Sequence, residues 1–284
     1  MTGKVFIVTG ANTGIGKETA RALARSGATV ILGCRDAAKG ETARADIAET
    51  TKNPDVVALP LDLADSLSIR DFVRAVGERY GKVDLLVNNA GVTARHRSVT
   101  RDGFETTFGV NHLGTARLTL DLLEFLKKGD NARIVVLSSG LHYRGKMAWE
   151  DLQFTKRSYD GIKAYNQSKL ANVLFTKALA RRLDGSGITV NAVHPGVVAT
   201  ELTRDYPRAI IAIMQLFLLT PQRGADCSMF VATAPELAGV TGAYFEKSRA
   251  KPASRDAEDV DAQERLWKLT EDLLAQAKEV GKAA

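Results

Sequence analysis

A chain of 284 residues, 45% hydrophobic and 25% charged, has the size of a single α/β unit and the balance of a soluble globular protein. Two cysteines, Cys34 and Cys227, exclude a disulfide framework, and with four scattered histidines they form no ligand spacing, so no metal site is expected. The net charge of +6 is spread rather than blocked and is not interleaved with aromatic residues; nucleic acid is not an expected partner, and a phosphate-rich cofactor is.

Met1-Thr2-Gly3-Lys4 runs directly into an apolar strand, which leaves no room for a signal peptide, so a cytoplasmic protein is expected. Apolar runs and amphipathic stretches then alternate, the pattern of a parallel sheet with helices on both faces. Strands are expected at 5–9, 29–33, 56–61, 83–88, 133–138, 189–194 and 242–245. Helices are expected at 16–26, 37–50, 66–80, 109–127, 165–183 and 261–277. Short loops between them imply right-handed crossovers and one continuous sheet. The fold class is therefore α/β: a single-domain, Rossmann-type doubly wound parallel sheet of about seven strands. Residues 200–221 read as an inserted substrate lobe and 255–284 as a charged, helical tail. The longest apolar run, 209–219, is broken only by Gln215 and is shorter than the roughly 20 residues that span a bilayer.

The first strand is followed by Gly10-Ala11-Asn12-Thr13-Gly14-Ile15-Gly16. Glycines here permit a tight turn and close approach of backbone N–H groups to a pyrophosphate. The next helix points its positive end at the same anion. Ser138-Ser139 closes the fifth strand on the carboxyl edge, where open α/β sheets bind ligands. Tyr165 and Lys169, four apart on a helix, project from one face. An ammonium beside a phenol favours the phenolate and makes Tyr165 a proton donor or acceptor.

With these segments in register, the chain resembles the short-chain dehydrogenase/reductase superfamily from Lys4 to the tail. The resemblance implies a nicotinamide dinucleotide held by Gly10, Asn12, Thr13, Gly14, Ile15 and Gly16. It adds Asp62 and Leu63 at the adenine, and Asn89, Ala90 and Gly91 after strand four. Pro195, Gly196, Val198 and Thr200 would hold the nicotinamide carboxamide. It implies a catalytic set of Asn111, Ser139, Tyr165 and Lys169, the last two also touching cofactor. Ser139 rather than Ser138 fits the family's serine, and Asn111 its water-holding asparagine. Cys34 stands where NAD-using relatives carry an acid, and Arg35 where NADP-using relatives carry a base. NADP(H) is therefore the expected cofactor, with Lys17 a second positive charge; the alternative is a solvated Arg35 with Asp36 on the ribose of NAD(H).

Several stretches resemble the retinol dehydrogenase-like branch, among them Tyr165-Asn166-Gln167-Ser168-Lys169-Leu170-Ala171-Asn172 and Gly242-Ala243-Tyr244-Phe245. That branch implies interconversion of an apolar carbonyl, such as a lipid aldehyde or retinoid, with its alcohol. The run 209–219 would wall a greasy pocket or touch a bilayer surface. Pairing into a homodimer or homotetramer would use helices 109–127 and 165–183. His142, Tyr143 and Trp149 line the substrate pocket or simply pack a loop, while His194 and Cys227 read as core. Alternatives are a catalytically silent NADP-binding sensor or scaffold, and a same-fold reductase of a tetrapyrrole double bond. A serine hydrolase is excluded, because no Gly-x-Ser-x-Gly elbow occurs.

Overall fold

The computed structural model describes residues 1–196 and 219–280. Residues 197–218, which hold Val198, Thr200 and nearly all of the expected substrate lobe, lie outside them. Among the described residues, eight strands form one sheet in the order β3-β2-β1-β4-β5-β6-β7-β8. They are β1 (Val5–Thr9), β2 (Thr29–Cys34), β3 (Val56–Pro60), β4 (Leu85–Asn88), β5 (Arg133–Leu137), β6 (Thr189–His194), β7 (Tyr244–Glu246) and β8 (Arg249–Lys251). All neighbours run parallel except β7 and β8. The strand order reverses between β1 and β4, so a crevice opens at their carboxyl ends.

Continuous apolar runs make these strands because both sheet faces are covered. Residue parity divides the core. Phe6 and Val8 pack with α1 (Gly14–Ala24), α2 (Ala37–Thr51) and the helix Pro221–Thr233 on one face. Val5 and Ile7 pack with α3 (Ser66–Tyr80), the helical region 106–126 and the long helix Gly161–Arg182 on the other. Each fully buried leucine or phenylalanine in these clusters stabilises the fold by about 1.5–3 kcal/mol. A third cluster seats the C-terminal helix Val260–Val280 on the outer side of Gly161–Arg182, where Trp267 stacks on Phe175 at 5.7 Å.

Several expectations are corrected. The eighth strand is Arg-Ala-Lys, too polar and short to read as a strand, and it forms by an antiparallel turn through Lys247 and Ser248, both at positive φ. The helix expected at 109–127 is broken into α4 (Thr106–Phe108), a π-helical stretch Gly109–Gly114, α5 (Thr115–Asp121) and α6 (Leu123–Leu126). Gly114 packs against the Leu63 backbone there, and a β-carbon would not fit. The helix expected at 165–183 is α7, Gly161–Arg182, begun four residues earlier because Asp160 accepts from Ile162 and Lys163 N–H. The helix Pro221–Thr233, here α8, was not expected; Thr220 caps it and Pro221 fits its first turn. The helix α1 starts at Gly14, not Gly16.

Candidate active site

The glycine loop is shaped for a ligand rather than for packing at one of its positions. Gly10 and Gly14 both have positive φ, +64° and +58°. A β-carbon on Gly10 would meet Ala90, and one on Gly16 would come within 2.5 Å of the Gly10 carbonyl, so these two glycines let the loop close on itself. Gly14 faces open space. Thr13 precedes α1 without capping it, and no acidic residue lies in its first turn. The N–H groups there are available to an anion, as a dinucleotide pyrophosphate requires. The side chains of Ile15 and Leu63 are buried in the core.

Asn89 is a brace beneath this loop. Its amide donates to the Thr9 carbonyl at 2.7 Å, while Thr9 Oγ1 accepts from Asn89 and Ala90 N–H. Asp62 accepts from Ala64 N–H, turning the chain after β3. Arg35 is exposed at the end of β2 and has no ion pair among the described residues. Asp36 instead caps α2 through Lys39 N–H at 3.0 Å. Lys17 is engaged elsewhere, in an ion pair with Asp46 at 2.7 Å, so the second phosphate contact foreseen for it is already answered within the protein. Cys34 is buried, and burial pushes its thiol up to about 11.

Four of the expected groups converge where β4, β5, the π-helical stretch and α7 meet. A β-carbon on Gly91 would lie 3.4 Å from both Asn111 Oδ1 and Lys169 Nζ. The Asn111 amide is held at both ends: Oδ1 accepts from Val92 N–H at 2.7 Å, and Nδ2 donates to Val92 O and Ser168 Oγ. Lys169 is buried, donates to the Leu137 carbonyl at 3.1 Å, and sits 5.5 Å from the Tyr165 ring centroid. Burial lowers its pKa to about 8. Burial raises the Tyr165 phenol to about 12, against the opposing hydrogen bond from Ser139. The pressure on Tyr165 is thus upward, not the downward one expected from lysine alone. Desolvation of the phenolate outweighs the Ser139 hydrogen bond that opposes it.

The paired serines divide their work. Ser138 Oγ donates to the Lys169 carbonyl at 2.8 Å and fastens β5 to α7. Ser139 starts the turn Gly140–Arg144 and directs its hydroxyl to Tyr165. Gly196, at φ +90°, packs on Leu219. His194 is only half buried and its Nδ1 has no partner among the described residues, which corrects the reading of a satisfied core histidine. Cys227 is core. One brace escaped the sequence reading: buried Glu105 accepts from Thr107 and Phe108 N–H and from the Tyr159 hydroxyl. It ties the start of the Asn111 segment to the loop before Tyr165. The signal was an acid just ahead of Thr106-Thr107-Phe108, a helix-cap pattern. Among the described residues no acid, histidine and cysteine cluster could hold a metal, and no helix is long and apolar enough to cross a membrane.

The short chain dehydrogenase family model matches residues 4–210. The chain is 48% identical over 274 residues to retinol dehydrogenase 12 of Mus musculus, covering 96% of this chain and 86% of that protein. Retinol dehydrogenase 13 of Homo sapiens is 48% identical over 273 residues, covering 93% and 82%. A solved but uncharacterised protein from Mycobacterium paratuberculosis superposes with a TM-score of 0.78 at 36% identity, covering 96% of this chain and 93% of that one. A Pseudomonas aeruginosa RhlG/NADP active-site complex gives 0.69 at 27% identity, covering 86% and 94%. With the doubly wound sheet already in view, this chain belongs to the short-chain dehydrogenase/reductase family, as an oxidoreductase enzyme of its retinol dehydrogenase-like branch.

Proposed function

We propose that the chain is an NADP(H)-dependent oxidoreductase that interconverts an apolar aldehyde or ketone with its alcohol. The family uses NAD(P)(H). The residues present suit such a dinucleotide: an open Gly14, an uncapped helix start, and Gly91 bare above Lys169. When bound, the nicotinamide supplies or accepts the hydride, and the protein supplies placement and electrostatics. The unpaired Arg35 favours a 2′-phosphate over a bare ribose, and the NADP-bound structural relative agrees with that choice.

In this reading Tyr165 gives a proton to the carbonyl oxygen during reduction and takes it back during oxidation. Ser139 donates a hydrogen bond to the same oxygen as negative charge gathers there. Lys169 orients the cofactor ribose with N–H bonds not used by Leu137 and keeps the phenol in play. The Asn111 side chain is fully engaged with Val92 and Ser168, so its contribution is to fix the chain beside Lys169, with any water held by its backbone. The apolar substrate rests on the likeness to retinol dehydrogenases of 48% identity.

The convergence of Ser139, Tyr165 and Lys169 beside Gly91 carries the proposal. Purified protein is mixed with NADPH or NADH and nonanal or all-trans-retinal, beside Tyr165→Phe, and nicotinamide absorbance is followed. Turnover with NADPH, lost in Tyr165→Phe while NADPH still binds, is the expected result. NADPH binding with no turnover of either carbonyl would overturn the apolar-carbonyl reading, and a preference for NADH the cofactor choice.

A further inference from the structure

Ser139 sits at the head of a short turn, and the side chain that fixes this turn is His142. The Ser139 carbonyl oxygen accepts twice from that one residue, from the His142 backbone N–H at 3.0 Å and from ring Nδ1 at 2.8 Å. The other ring nitrogen, Nε2, accepts from the Ser254 backbone N–H at 3.1 Å. A backbone N–H can only donate, so Nε2 carries a lone pair and the proton is on Nδ1. The ring is neutral, has no exposed surface, and has both nitrogens engaged, which removes it from any direct acid-base role.

The same surroundings lock the ring in place. It lies 4.0 Å from the Tyr143 ring and 4.6 Å from that of Tyr244. Tyr143 donates its hydroxyl to the Pro252 carbonyl at 2.6 Å. Residues 252–254 lead into the short helix Arg255–Glu258, itself capped by Ser254. Two adjacent side chains of the Ser139 turn therefore grip one segment of the C-terminal region. Gly145 ends the turn directly against α7, where a β-carbon would come within 2.7 Å of the Asn166 carbonyl, the residue next to Tyr165.

We propose that His142 is a positioning residue for the Ser139 hydroxyl, holding the Ser139–Gly140 peptide in place and making that hold depend on the docked segment 252–254. The proposal rests on the catalytic reading of Ser139. It adds that the C-terminal segment, far in sequence from the serine, is part of the active-site frame.

The chemistry of the two ring nitrogens supplies its own test. The amide of asparagine can stand near Nδ1 and donate to Ser139; that of glutamine reaches the place of Nε2 and can only answer Ser254. Reduction of nonanal by NADPH is measured for the wild type, Ser139→Ala, His142→Ala, His142→Asn, His142→Gln and the Ser139→Ala/His142→Ala double variant, with NADPH affinity from fluorescence titration. Ser139→Ala should lower kcat by about 100-fold, as loss of a transition-state donor does. His142→Ala should lower kcat by roughly tenfold with KM and NADPH affinity within about twofold, because only the placement of that donor changes. His142→Asn should recover kcat to within about threefold of wild type and His142→Gln should not. In the double variant, His142→Ala should add less than about threefold, since both act through one hydroxyl. A wild-type kcat in Ser139→Ala overturns the reading of the serine itself. With Ser139→Ala impaired, the His142 proposal is overturned by an undiminished kcat in His142→Ala, by fully multiplicative losses, or by Gln rescuing as well as Asn. Should His142→Ala fail to fold, the Asn and Gln pair decides alone.

Discussion

Lys169 holds its ammonium against the Leu137 carbonyl at 3.1 Å and 5.5 Å from the centre of the Tyr165 ring. Burial drives the two groups apart, each towards its neutral form, the lysine down to about 8 and the tyrosine up to about 12. At neutral pH the resting pair is therefore an ammonium and a protonated phenol. Carbonyl reduction needs both protons, so kcat/KM for nonanal should hold to about pH 8 and fall above it. Lys169→Arg, with a cation that does not titrate in this range, should lose that limb. The stability sign follows from the same shift. The folded lysine gives up its proton before the unfolded one, so stability rises with pH from about 8 to the ordinary lysine value of 10.5. A wild-type rate profile flat to pH 10 would refute the assignment.

The loop glycines should separate in their effects. Gly16→Ala forces a β-carbon onto the Gly10 carbonyl and the Asn89 amide, and should destabilise by about 3 kcal/mol through overpacking. Gly14→Ala meets no atom and carries only the strain of its positive φ, about 1–2 kcal/mol. Yet Gly14→Ala places a methyl where the cofactor would approach, so NADPH affinity should fall more than stability does. Urea midpoints and fluorescence titrations check the order; Gly14 costing more stability than Gly16 would contradict the geometry.

Arg35→Ala should weaken NADPH binding by about 10–100-fold, the worth of one charge-assisted contact, and leave NADH unchanged. Lys17→Ala should do little, because its ammonium is paired with Asp46. Dissociation constants for the two cofactors decide it. Equal losses for both would place Arg35 away from the 2′-phosphate.

At the opposite edge of the sheet, Asp84 has a side chain 2% exposed. It accepts from Val5 and Asp130 N–H, each at 2.9 Å, and pairs with Lys4 at 3.1 Å. Burial alone would raise its pKa, but these donors lower it. Its contribution is thus complete above the ordinary carboxylate range and is lost as pH falls below that range through the lowered value of the folded state. Asp84→Ala strands buried donors and should cost about 3–5 kcal/mol, with kcat per folded molecule unchanged. Thermal melts with active-site titration test this, and a drop in kcat would tie this edge to the chemistry.

Much of this was legible in the chain because it depends on neighbours in sequence. Continuous apolar runs such as Val5–Thr9 and Arg133–Leu137 make buried parallel strands wherever helices cover both faces. Glycines that close a turn, and a tyrosine and lysine one helical turn apart, likewise announce themselves locally. What the chain alone left open involves distant partners. The chain is π-helical over Gly109–Gly114, where Gly114 packs on Leu63; periodicity alone reads one regular helix through it. Lys17 and Arg35 look alike as cations until Asp46, on another helix, claims one of them.

Local pattern thus determined the doubly wound sheet, the glycine loop and the Tyr165–Lys169 pair, while the family resemblance supplied Asn111 and the choice of Ser139. Tertiary structure decided how they are held. Burial set the Tyr165 phenol and the Lys169 ammonium against their ordinary values, and Ser254, 112 positions from His142, fixed the proton on its ring. The physical reason is that desolvation and hydrogen-bond partnership depend on what surrounds a group in space, which sequence spacing does not encode.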